Sequence, residues 1–303
     1  MAEMQAWQVA HPGPMEKVFH LTTIPKPTTL KSGQILVKVS RAALNPADYK
    51  VCELGVASRL ITSFPKIPGM DLSGHVVSVA EDVTDAKVGD FVLARASPTK
   101  AWGSLAEYTV CDKEGYTVIP ESLDLDQAAG VGTAGLTAYQ TIAPYVKSGD
   151  KVFLNGGSGG VGLWGIQIAK ALGCSVTVSR GDDIIDYKTS DVIAELKKRG
   201  QVFSHCVDNV GDAPPNLYAS SNDFLLPGSS FVFVGGHVSA KSAKFVTYAT
   251  ANKKKDLDQL RDWLVEGKVK TVIDSTFGFK EADKAFEHLK KGSSGGKVMI
   301  HVE

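Results

Sequence analysis

The chain has 303 residues, of which 43% are apolar, and its 33 basic and 33 acidic residues give a formal net charge of zero. This length suits one large domain or two ordinary ones, and the zero net charge offers no electrostatic basis for binding nucleic acid or an anionic membrane. The four cysteines are scattered without a C-x-x-C pair, so we expect neither structural disulfides nor a thiolate zinc site. The N-terminus has no signal-peptide pattern and no apolar run reaches the length of a membrane span, so we expect a soluble cytoplasmic protein.

Short strands dominate the chain up to about residue 120. They lie between turns rich in Pro and Gly, and they cover residues 6–9, 35–39, 75–79, 90–94 and 106–110. Their spacing suggests a small barrel. From residue 126 the apolar residues adopt helical spacing, which places a domain boundary between residues 115 and 130.

A strand, a glycine-rich turn and a helix follow one another over residues 152–173. Three glycines stand in the G-x-G-x-x-G register, which allows a tight turn, close approach of the backbone to a pyrophosphate, and close packing of the helix on the strand. The helix N-terminus adds unpaired N–H groups and the positive end of its dipole. We therefore predict a dinucleotide site rather than a merely flexible loop. Its predicted residues are Gly157, Ser158, Gly159, Gly160, Val161 and Gly162.

After this turn the chain alternates strands and helices. The predicted strands are mostly apolar, as in a parallel sheet covered on both faces, and they cover residues 175–178, 184–187, 202–207 and 231–234. Towards the end of the chain, helices at 256–266 and 281–290 alternate with strands at 269–273 and 297–302. The pattern predicts an α/β fold with a Rossmann-type, doubly wound parallel sheet.

The end of the second strand of this sheet bears on the choice of cofactor. An NAD-specific site usually has an acidic residue there, about 20 residues after the glycines, that binds the ribose 2′-hydroxyl. In this chain Ser179, which stands 22 positions after Gly157, and Arg180 occupy that place. A hydroxyl and a guanidinium suit the 2′-phosphate of NADPH. The alternative is that Arg180 simply faces water.

Five stretches carry a resemblance to a known family. They are residues 44–50 (LNPADYK), 67–74 (IPGMDLSG), 103–108 (GSLAEY), 134–138 (AGLTA) and 268–274 (KVKTVID). Together with the glycine turn they resemble the medium-chain dehydrogenase/reductases, and within them the zinc-independent quinone oxidoreductase branch, with zeta-crystallin and the plant chloroplast-envelope type. The resemblance implies a GroES-like N-terminal β-barrel domain of residues 1–122 and 275–303, a Rossmann domain of residues 123–274, and a homodimer.

The resemblance also bears on the metal and the reaction. In the zinc alcohol dehydrogenases of this superfamily a cysteine ligand stands near the position of Asn45, and Gly-His-Glu stands where this chain has Gly69, Met70 and Asp71. Met70 is no zinc ligand, so we expect no metal. Alcohol oxidation is difficult without a Lewis acid, whereas hydride addition to a quinone or enone gives an oxyanion that hydrogen bonds stabilise. We expect an NADPH-dependent reductase of quinones or α,β-unsaturated carbonyl compounds; the alternative is an NADPH-binding structural or regulatory protein without turnover, as crystallin members illustrate.

Two residues are candidates for catalysis. The resemblance places Asn45 beside the nicotinamide, where its amide is a candidate donor to the substrate oxygen; the alternative is a turn residue. Tyr49 has a hydroxyl to donate in the pocket, or else it is a packed aromatic. Lys50 is expected near the cofactor by resemblance, or otherwise on the solvated surface. Asp48 and Asp71 are expected to be structural carboxylates bonded to backbone N–H groups.

Further cofactor-binding residues are expected at the sheet edge, where strands and loops close. Those placed there by the predicted sheet are Thr133, Asn209, Val234 and Gly235. Tyr187 corresponds by resemblance to a tyrosine that packs near the 2′-phosphate. The histidines on strands or at their ends, which are His75, His205 and His237, are expected to be structural.

A physical inconsistency concerns the second and third strands of the sheet. If residues 175–178 and 184–187 form neighbouring parallel strands, the crossover between them needs roughly a dozen residues, and only residues 179–183 are available. The interval after Gly236 is also short. We therefore predict that residues are missing from the printed chain around 180/181 and near 238/239, in loops around the cofactor site.

Overall fold

The computed structural model describes residues 2–178, 183–186, 189–210, 217–234 and 245–303. The chain folds into two compact units, Met1–Thr133 with Asn252–Glu303, and Ala134–Ala251. We call them the split unit and the central unit.

Within the described ranges, the strands are β1 (Glu3–Val9), β2 (Phe19–Pro25), β3 (Gln34–Leu44), β4 (Asp71–Val79), β5 (Phe91–Arg95), β6 (Tyr108–Asp112), β7 (Tyr116–Ile119), β8 (Lys151–Asn155), β9 (Ser175–Val178), β10 (Asp183–Ile184), β11 (Phe203–Asp208), β12 (Leu225–Val234), β13 (Phe245–Tyr248), β14 (Ile273–Gly278) and β15 (Lys297–His301). The α-helices are α1 (Met15–Val18), α2 (Pro46–Glu53), α3 (Ser58–Ile61), α4 (Leu125–Ala129), α5 (Gly132–Ile142), α6 (Gly160–Ala171), α7 (Val192–Arg199), α8 (Ser221–Phe224), α9 (Lys254–Val265) and α10 (Ala282–Lys290).

The central unit is built on a six-stranded parallel sheet. Its strand order is β10-β9-β8-β11-β12-β13, which is the 3-2-1-4-5-6 order of a doubly wound dinucleotide-binding sheet. Phe153, Phe203 and Phe224 pack on one another in its core, with ring centroids 5.9 to 6.3 Å apart. The order reverses between β8 and β11, so the crevice for a ligand lies at the carboxyl ends of these strands. The predicted Rossmann-type sheet is confirmed.

The third strand of this sheet is shorter than expected. In β10 only Asp183 and Ile184 pair, in parallel, with Thr177 and Val178 of β9, whereas the predicted strand covered residues 184–187. Ile185 is buried next to β10 but is not part of the strand. The positions 180/181 and 238/239, where we predict missing residues, lie outside the described residues.

The split unit is built on a mixed sheet around β3. The order is β14-β15-β3-β4-β5-β7, and β6 also pairs with β3. Ile35, Val37 and Val39 alternate along β3 and are at most 1% exposed, as β-branched residues favour in a strand with one face in the core. In the described part of the chain this sheet does not close into the barrel suggested by the strand spacing. The separate β1–β2 ladder is joined to other segments by the single bridges Ala6–Ala106 and Val9–Lys66 and by a hydrogen bond from Trp7 Nε1 to Phe279 O at 2.7 Å.

The strand predicted at residues 269–273 is not formed. Val269 is buried, as its apolar character indicated, but the backbone of Thr271 pairs with a side chain instead of a strand. Thr271 N donates to Gln127 Oε1 at 2.8 Å and Gln127 Nε2 donates to Thr271 O at 3.1 Å. A glutamine amide thus takes the place of a neighbouring strand, and the strand β14 begins only at Ile273.

The boundaries of the units differ from those expected from the sequence, at 122/123 and 274/275. The helix α4 packs on β3, β4 and β5, and α9 packs on β7. Thr117 Oγ1 donates to Asp258 Oδ1 at 2.5 Å, which ties α9 to the sheet of the split unit. Residues 123–133 and 252–274 therefore group with the N-terminal strands rather than with the parallel sheet.

Candidate functional site

The glycine turn of the central unit lies where the sheet order reverses. The chain leaves β8 through Gly156, whose φ of 79° is in the left-handed region that favours glycine. A Cβ on Gly156 would come within 2.9 Å of the Val210 side chain. Gly156 precedes the G-x-G-x-x-G register and is not among the site residues predicted from it. The positive φ of Gly156 and the closeness of the Val210 side chain both indicate that this sharp turn needs a glycine.

The start of α6 forms an open cradle beside this turn. Gly159 is the N-cap of α6, and a Cβ there would meet nothing within 4 Å. In contrast, a Cβ on Gly162 would lie 2.2 Å from Gly156 O and 2.6 Å from Gly157 Cα, so only glycine allows the helix to approach the turn this closely. The backbone N–H groups at the start of α6 are available for an anion because the first turn of a helix has no internal acceptors for them.

The end of β11 forms the other side of the crevice. Asn155 Nδ2 donates to Asp208 Oδ1 at 2.9 Å, and Val210 N donates to the same oxygen at 3.1 Å. Asn209 Nδ2 donates to Asn155 O at 3.1 Å, while Asn209 Oδ1 is buried without a hydrogen-bond partner among the described residues. A buried acceptor of this kind is costly unless a ligand or water donates to it. A bound dinucleotide fits here if one of its hydroxyl or amide groups donates a hydrogen bond to Asn209 Oδ1.

The other residues predicted for the cofactor site divide into two groups. Val234 ends β12, Ser158 lies in the turn before α6, and Gly160 and Val161 lie in the first turn of α6. The predicted residues Ser179, Arg180, Tyr187 and Gly235 lie outside the described residues.

A buried polar network surrounds Asp71 in the split unit, and we call it the Asp71 network. Thr133 N and Thr133 Oγ1 donate to Asp71 Oδ1 at 2.7 and 2.6 Å, and Asn45 Nδ2 donates to Oδ2 at 2.9 Å. Lys297 Nζ donates to the same oxygen at 3.1 Å. Asp71 is 0% exposed, and its four bonds satisfy both carboxylate oxygens. It is the structural carboxylate expected from the sequence, since it binds a backbone N–H at the start of α5.

Two candidate site residues, Asn45 and Thr133, are brought together by this carboxylate. Asn45 is 6% exposed and is the N-cap of α2. Its Oδ1 accepts from Lys297 Nζ at 2.7 Å, and its second amide hydrogen makes only a long contact, 3.4 Å from Nδ2 to Ala43 O. Asn45 therefore has one weakly used donor.

Asp48 closes the N-terminus of α2. Its Oδ2 accepts from Asn45 N at 2.7 Å in a capping box, as expected of a structural carboxylate. Its Oδ1 is buried and has no partner in the described ranges. Burial, and then the charge of Asp71, raise the pKa of Asp48 to about 7. This carboxyl therefore changes its protonation state near neutral pH.

A buried guanidinium lies on the other side of Thr133. Arg95 is 5% exposed, and its Nε donates to Thr133 Oγ1 at 3.0 Å. Its terminal nitrogens donate to Asn252 Oδ1 at 2.7 Å and to Met70 Sδ at 3.5 Å. Thr133 Oγ1 thus accepts from Arg95 and donates to Asp71, which leaves its hydroxyl in one orientation. Within the described residues no group of three His, Cys, Asp or Glu side chains is placed to hold a metal ion.

Tyr49 and Lys50 lie on α2 away from the bonds of the Asp71 network. The Tyr49 ring is half-buried, edge-on to Phe286 at 6.4 Å, with Lys290 Nζ 5.2 Å from its centroid. Burial and the neighbouring Glu53 raise the pKa of the Tyr49 phenol, so it remains protonated at neutral pH. Lys50 is exposed. The structure thus shows Tyr49 as a packed aromatic with a hydroxyl, and Lys50 on the surface.

His205 occupies a structural position in the central unit, as expected from the sequence. Its Nε2 lies 2.7 Å from Thr141 O and its Nδ1 lies 2.7 Å from Ser230 Oγ. The ring also stacks on Tyr145 at 5.1 Å. Burial lowers the pKa of His205 to about 4, so the ring is neutral and donates from Nε2 to the carbonyl.

Sequence reasoning missed the buried cations Lys297 and Arg95 of the split unit. Lys297 stands at the start of a strand and Arg95 at the end of one, where a charged residue is usually solvated. Each stands next to a short apolar run, residues 298–300 or 91–94, and this is a weak signal of a buried position. No helix in the described ranges is long and apolar enough to cross a membrane.

Two family models match the chain. They are an alcohol dehydrogenase GroES-like domain over residues 31–144 and a zinc-binding dehydrogenase over residues 181–300. Among curated proteins, the chain is 37% identical to the trans-enoyl reductase pgmF of Aspergillus terreus, over 99% of this chain and 96% of the relative. It is 31% identical to a chloroplastic NADPH-dependent alkenal/one oxidoreductase of Arabidopsis thaliana, over 99% of this chain and 80% of the relative.

A solved structure matches over the whole length. The quinone oxidoreductase from Coxiella burnetii has a TM-score of 0.87 and 29% identity, with 100% of both chains covered. The match to the Aspergillus reductase spans 345 positions, more than the 303 residues of this chain. That relative therefore has internal residues for which this chain has no counterpart, which supports the predicted missing residues without locating them.

Proposed function

Because the chain belongs to the medium-chain dehydrogenase/reductase family, we propose that it is an NADPH-dependent reductase that transfers hydride, without zinc, to a quinone or to the β-carbon of an α,β-unsaturated carbonyl compound. The observation that carries the proposal is the glycine turn at the reversal of a 3-2-1-4-5-6 sheet. The relatives support the substrate class, since they are named as an enoyl reductase, an alkenal/one oxidoreductase and a quinone oxidoreductase.

The residues at the turn fit a nicotinamide dinucleotide. The N–H groups at the start of α6 would bind the pyrophosphate next to Gly159, and Asn209 Oδ1, which has no partner among the described residues, would accept a hydrogen bond from the nucleoside part. When bound, NADPH supplies the hydride. The preference for NADPH over NADH rests on Ser179 and Arg180 in place of an acidic residue, and on the NADPH dependence named for the Arabidopsis relative.

The zinc independence is supported by the donor set around Met70. The guanidinium of Arg95 lies 3.5 Å from Met70 Sδ, and a fixed cation beside a thioether disfavours a divalent cation at the same place. The amide of Asn45 is committed to Lys297 and Asp71. Neither residue is a preferred zinc ligand, because zinc in proteins is bound by thiolate, imidazole and carboxylate groups.

Asn45 is the proposed donor to the substrate oxygen. Its second Nδ2–H, which makes only the 3.4 Å contact with Ala43 O, is the one available for this bond. An amide donor of this kind stabilises the oxyanion that forms when hydride adds to a conjugated system. Tyr49 is a second proposed donor through its protonated hydroxyl.

The test is consumption of NADPH, followed by absorbance, with a panel of quinones and enones. We expect turnover with conjugated acceptors, poor turnover with saturated aldehydes and ketones, and no useful oxidation of alcohols. NADPH deuterated stereospecifically at C4 should transfer deuterium to the β-carbon of an enone. Tight NADPH binding without consumption across the panel would replace this proposal with the structural or regulatory alternative.

Two accompanying predictions concern assembly and location. A homodimer is expected, and light scattering on a sizing column measures it. A cytoplasmic location is expected, although the Arabidopsis relative is named as chloroplastic. Fluorescence imaging of the tagged full-length protein in its own cells distinguishes the two locations.

A further inference from the structure

Lys297 is a buried lysine whose three ammonium hydrogens all have acceptors. It is 3% exposed at the start of β15. Its Nζ donates to Leu44 O at 3.0 Å, to Asn45 Oδ1 at 2.7 Å and to Asp71 Oδ2 at 3.1 Å. An ammonium group has three donors and no acceptor. Each group that forms a hydrogen bond with Lys297 Nζ must therefore be an acceptor.

This requirement determines which way the Asn45 amide points. The carbonyl and amino ends of an asparagine have nearly the same shape, so only their partners distinguish the two orientations. Because the Lys297 ammonium accepts no hydrogen bond, Asn45 must turn Oδ1 towards it and Nδ2 towards Asp71 Oδ2. The weakly bonded second Nδ2–H is thereby set in one direction as well.

The same ammonium fixes Asp71 and, through it, Thr133. Lys297 and Asn45 occupy Oδ2, so Oδ1 is left for the two bonds from Thr133. A protonated or rotated Asp71 would lose one of these acceptor positions. One buried cation thus orients both the proposed donor to the substrate and the threonine expected near the nicotinamide.

Stability alone does not require a buried ion pair at this position. Replacing such a pair by apolar residues of similar volume is often neutral or stabilising, because desolvation of both charges offsets their attraction. Lys297 makes three directed hydrogen bonds, which an apolar residue cannot make.

We propose that Lys297 is a positioning residue of the split unit, which holds the amide of Asn45 and, through Asp71, the hydroxyl of Thr133 in the single orientation that the reaction uses. The orientation is a property of the protein without substrate. Its use in hydride transfer rests on the proposed function.

Lys66 provides a matched control in the same unit. It is 4% exposed, and its Nζ donates to the backbone carbonyls of Pro98 and Lys100 at 3.1 and 2.6 Å. Burial lowers the pKa of Lys66. Its bonds hold a loop and not an amide or carboxylate of the Asp71 network, so the same substitutions at positions 66 and 297 separate loss of a buried cation from loss of orientation.

The first measurement is hydrogen exchange of the Asn45 side-chain amide, observed by NMR in protein without cofactor and assigned with Asn45→Asp. We expect slow exchange in the wild type and at least tenfold faster exchange in Lys297→Gln and Lys297→Arg. Arginine retains the charge, so this variant should fold even where Lys297→Gln does not. The planar guanidinium group of arginine cannot donate to three acceptors that are grouped around the position of a single nitrogen atom. Lys66→Gln and Lys66→Arg should leave the exchange unchanged.

The second measurement is turnover with the best acceptor of the panel. Lys297→Arg should lower kcat tenfold or more, change the KM for NADPH less than threefold, and increase the deuterium isotope effect, while Lys66→Arg stays near the wild type. Unchanged amide exchange in Lys297→Arg, or equal losses in the variants at positions 66 and 297, would overturn the proposal. If the wild type shows no turnover, the proposed function fails and the exchange measurement alone decides whether Lys297 orients Asn45.

Discussion

At the scale of single residues, Asp48 shows how the surroundings of a carboxyl change its chemistry. One of its oxygens caps α2 and the other is buried without a partner among the described residues. Burial and the nearby charge of Asp71 raise its pKa to about 7, against attraction by Lys297 and Lys66. An ordinary aspartate is ionised throughout the physiological range, whereas this one is partly protonated.

Asp48 should therefore make stability depend on pH in an unusual direction. Between pH values near 4 and 7 the folded protein holds a proton on Asp48 that the unfolded chain releases, so the stability contributed by this group falls as pH rises through that window. Asp48→Asn removes the titration. We expect the free energy of unfolding of the variant to rise relative to the wild type by up to about 4 kcal/mol from pH 4 to 8.

Urea unfolding at several pH values measures this difference. Asp82→Asn is the control, because Asp82 is an exposed carboxylate whose bonds from Ser32 and Gly33 lower its pKa. Its titration lies below the window, so its difference from the wild type should be flat from pH 5 to 8. Parallel stability curves for the wild type and Asp48→Asn would contradict the assignment.

Arg180 is the residue predicted to select the cofactor. Arg180→Ala should weaken NADPH binding by about 1.5–3 kcal/mol, the worth of a hydrogen bond to a charged group, and leave NADH binding unchanged. Titration calorimetry with both cofactors measures the effect, with the exposed Lys198→Ala of α7 as control. Equal weakening of both cofactors would show that Arg180 does not contact the 2′-phosphate.

At the scale of secondary-structure elements, the start of α5 depends on a close approach between Gly132 and Asp71. A Cβ on Gly132 would lie 2.4 Å from Asp71 Oδ1, which is the oxygen that accepts both bonds from Thr133. Asp71 has little freedom to move away because Lys297 and Asn45 hold its other oxygen. The glycine is therefore a packing requirement of the Asp71 network, although alanine favours helices.

Gly132→Ala should lower the free energy of unfolding by about 2–4 kcal/mol, because it overpacks a buried site and displaces a bonded carboxylate. Thermal and urea unfolding measure the loss. The control is Gly278→Ala, where φ is −74° and a Cβ would meet only Glu281 at 3.7 Å. A variant at position 132 as stable as the one at position 278 would show that Asp71 has more room than its four bonds indicate.

At the scale of the whole molecule, the chemistry is expected to need no metal. Exhaustive treatment with a strong chelator should leave turnover with enones and quinones unchanged, because no step of the proposed reaction uses a Lewis acid. A zinc-dependent alcohol dehydrogenase treated in parallel controls for effective chelation. Stoichiometric zinc in the purified protein, measured by elemental analysis, would contradict this prediction.

The features that the sequence by itself determined are those decided by neighbours along the chain. The glycine turn, its helix and the apolar strands of the parallel sheet are local patterns, because the turn needs glycines at fixed offsets and a doubly covered strand needs consecutive apolar residues. The role of Asp48 as a capping carboxylate is equally local, since its partner is three residues away. Five stretches of the chain also sufficed to indicate the family.

What only the tertiary structure decided is which distant groups meet. Lys297 and Asp71 are 226 residues apart along the chain, and Arg95 and Asn252 are 157 apart, so no periodicity links them. The Gln127 side chain, which pairs with the backbone of Thr271 where a strand was predicted, is likewise far from its partner along the chain. A charged or polar side chain is buried only when the fold supplies its partners. Those partners are fixed by the sheet order of each unit, which brings β3, β4 and β15 together around Asp71.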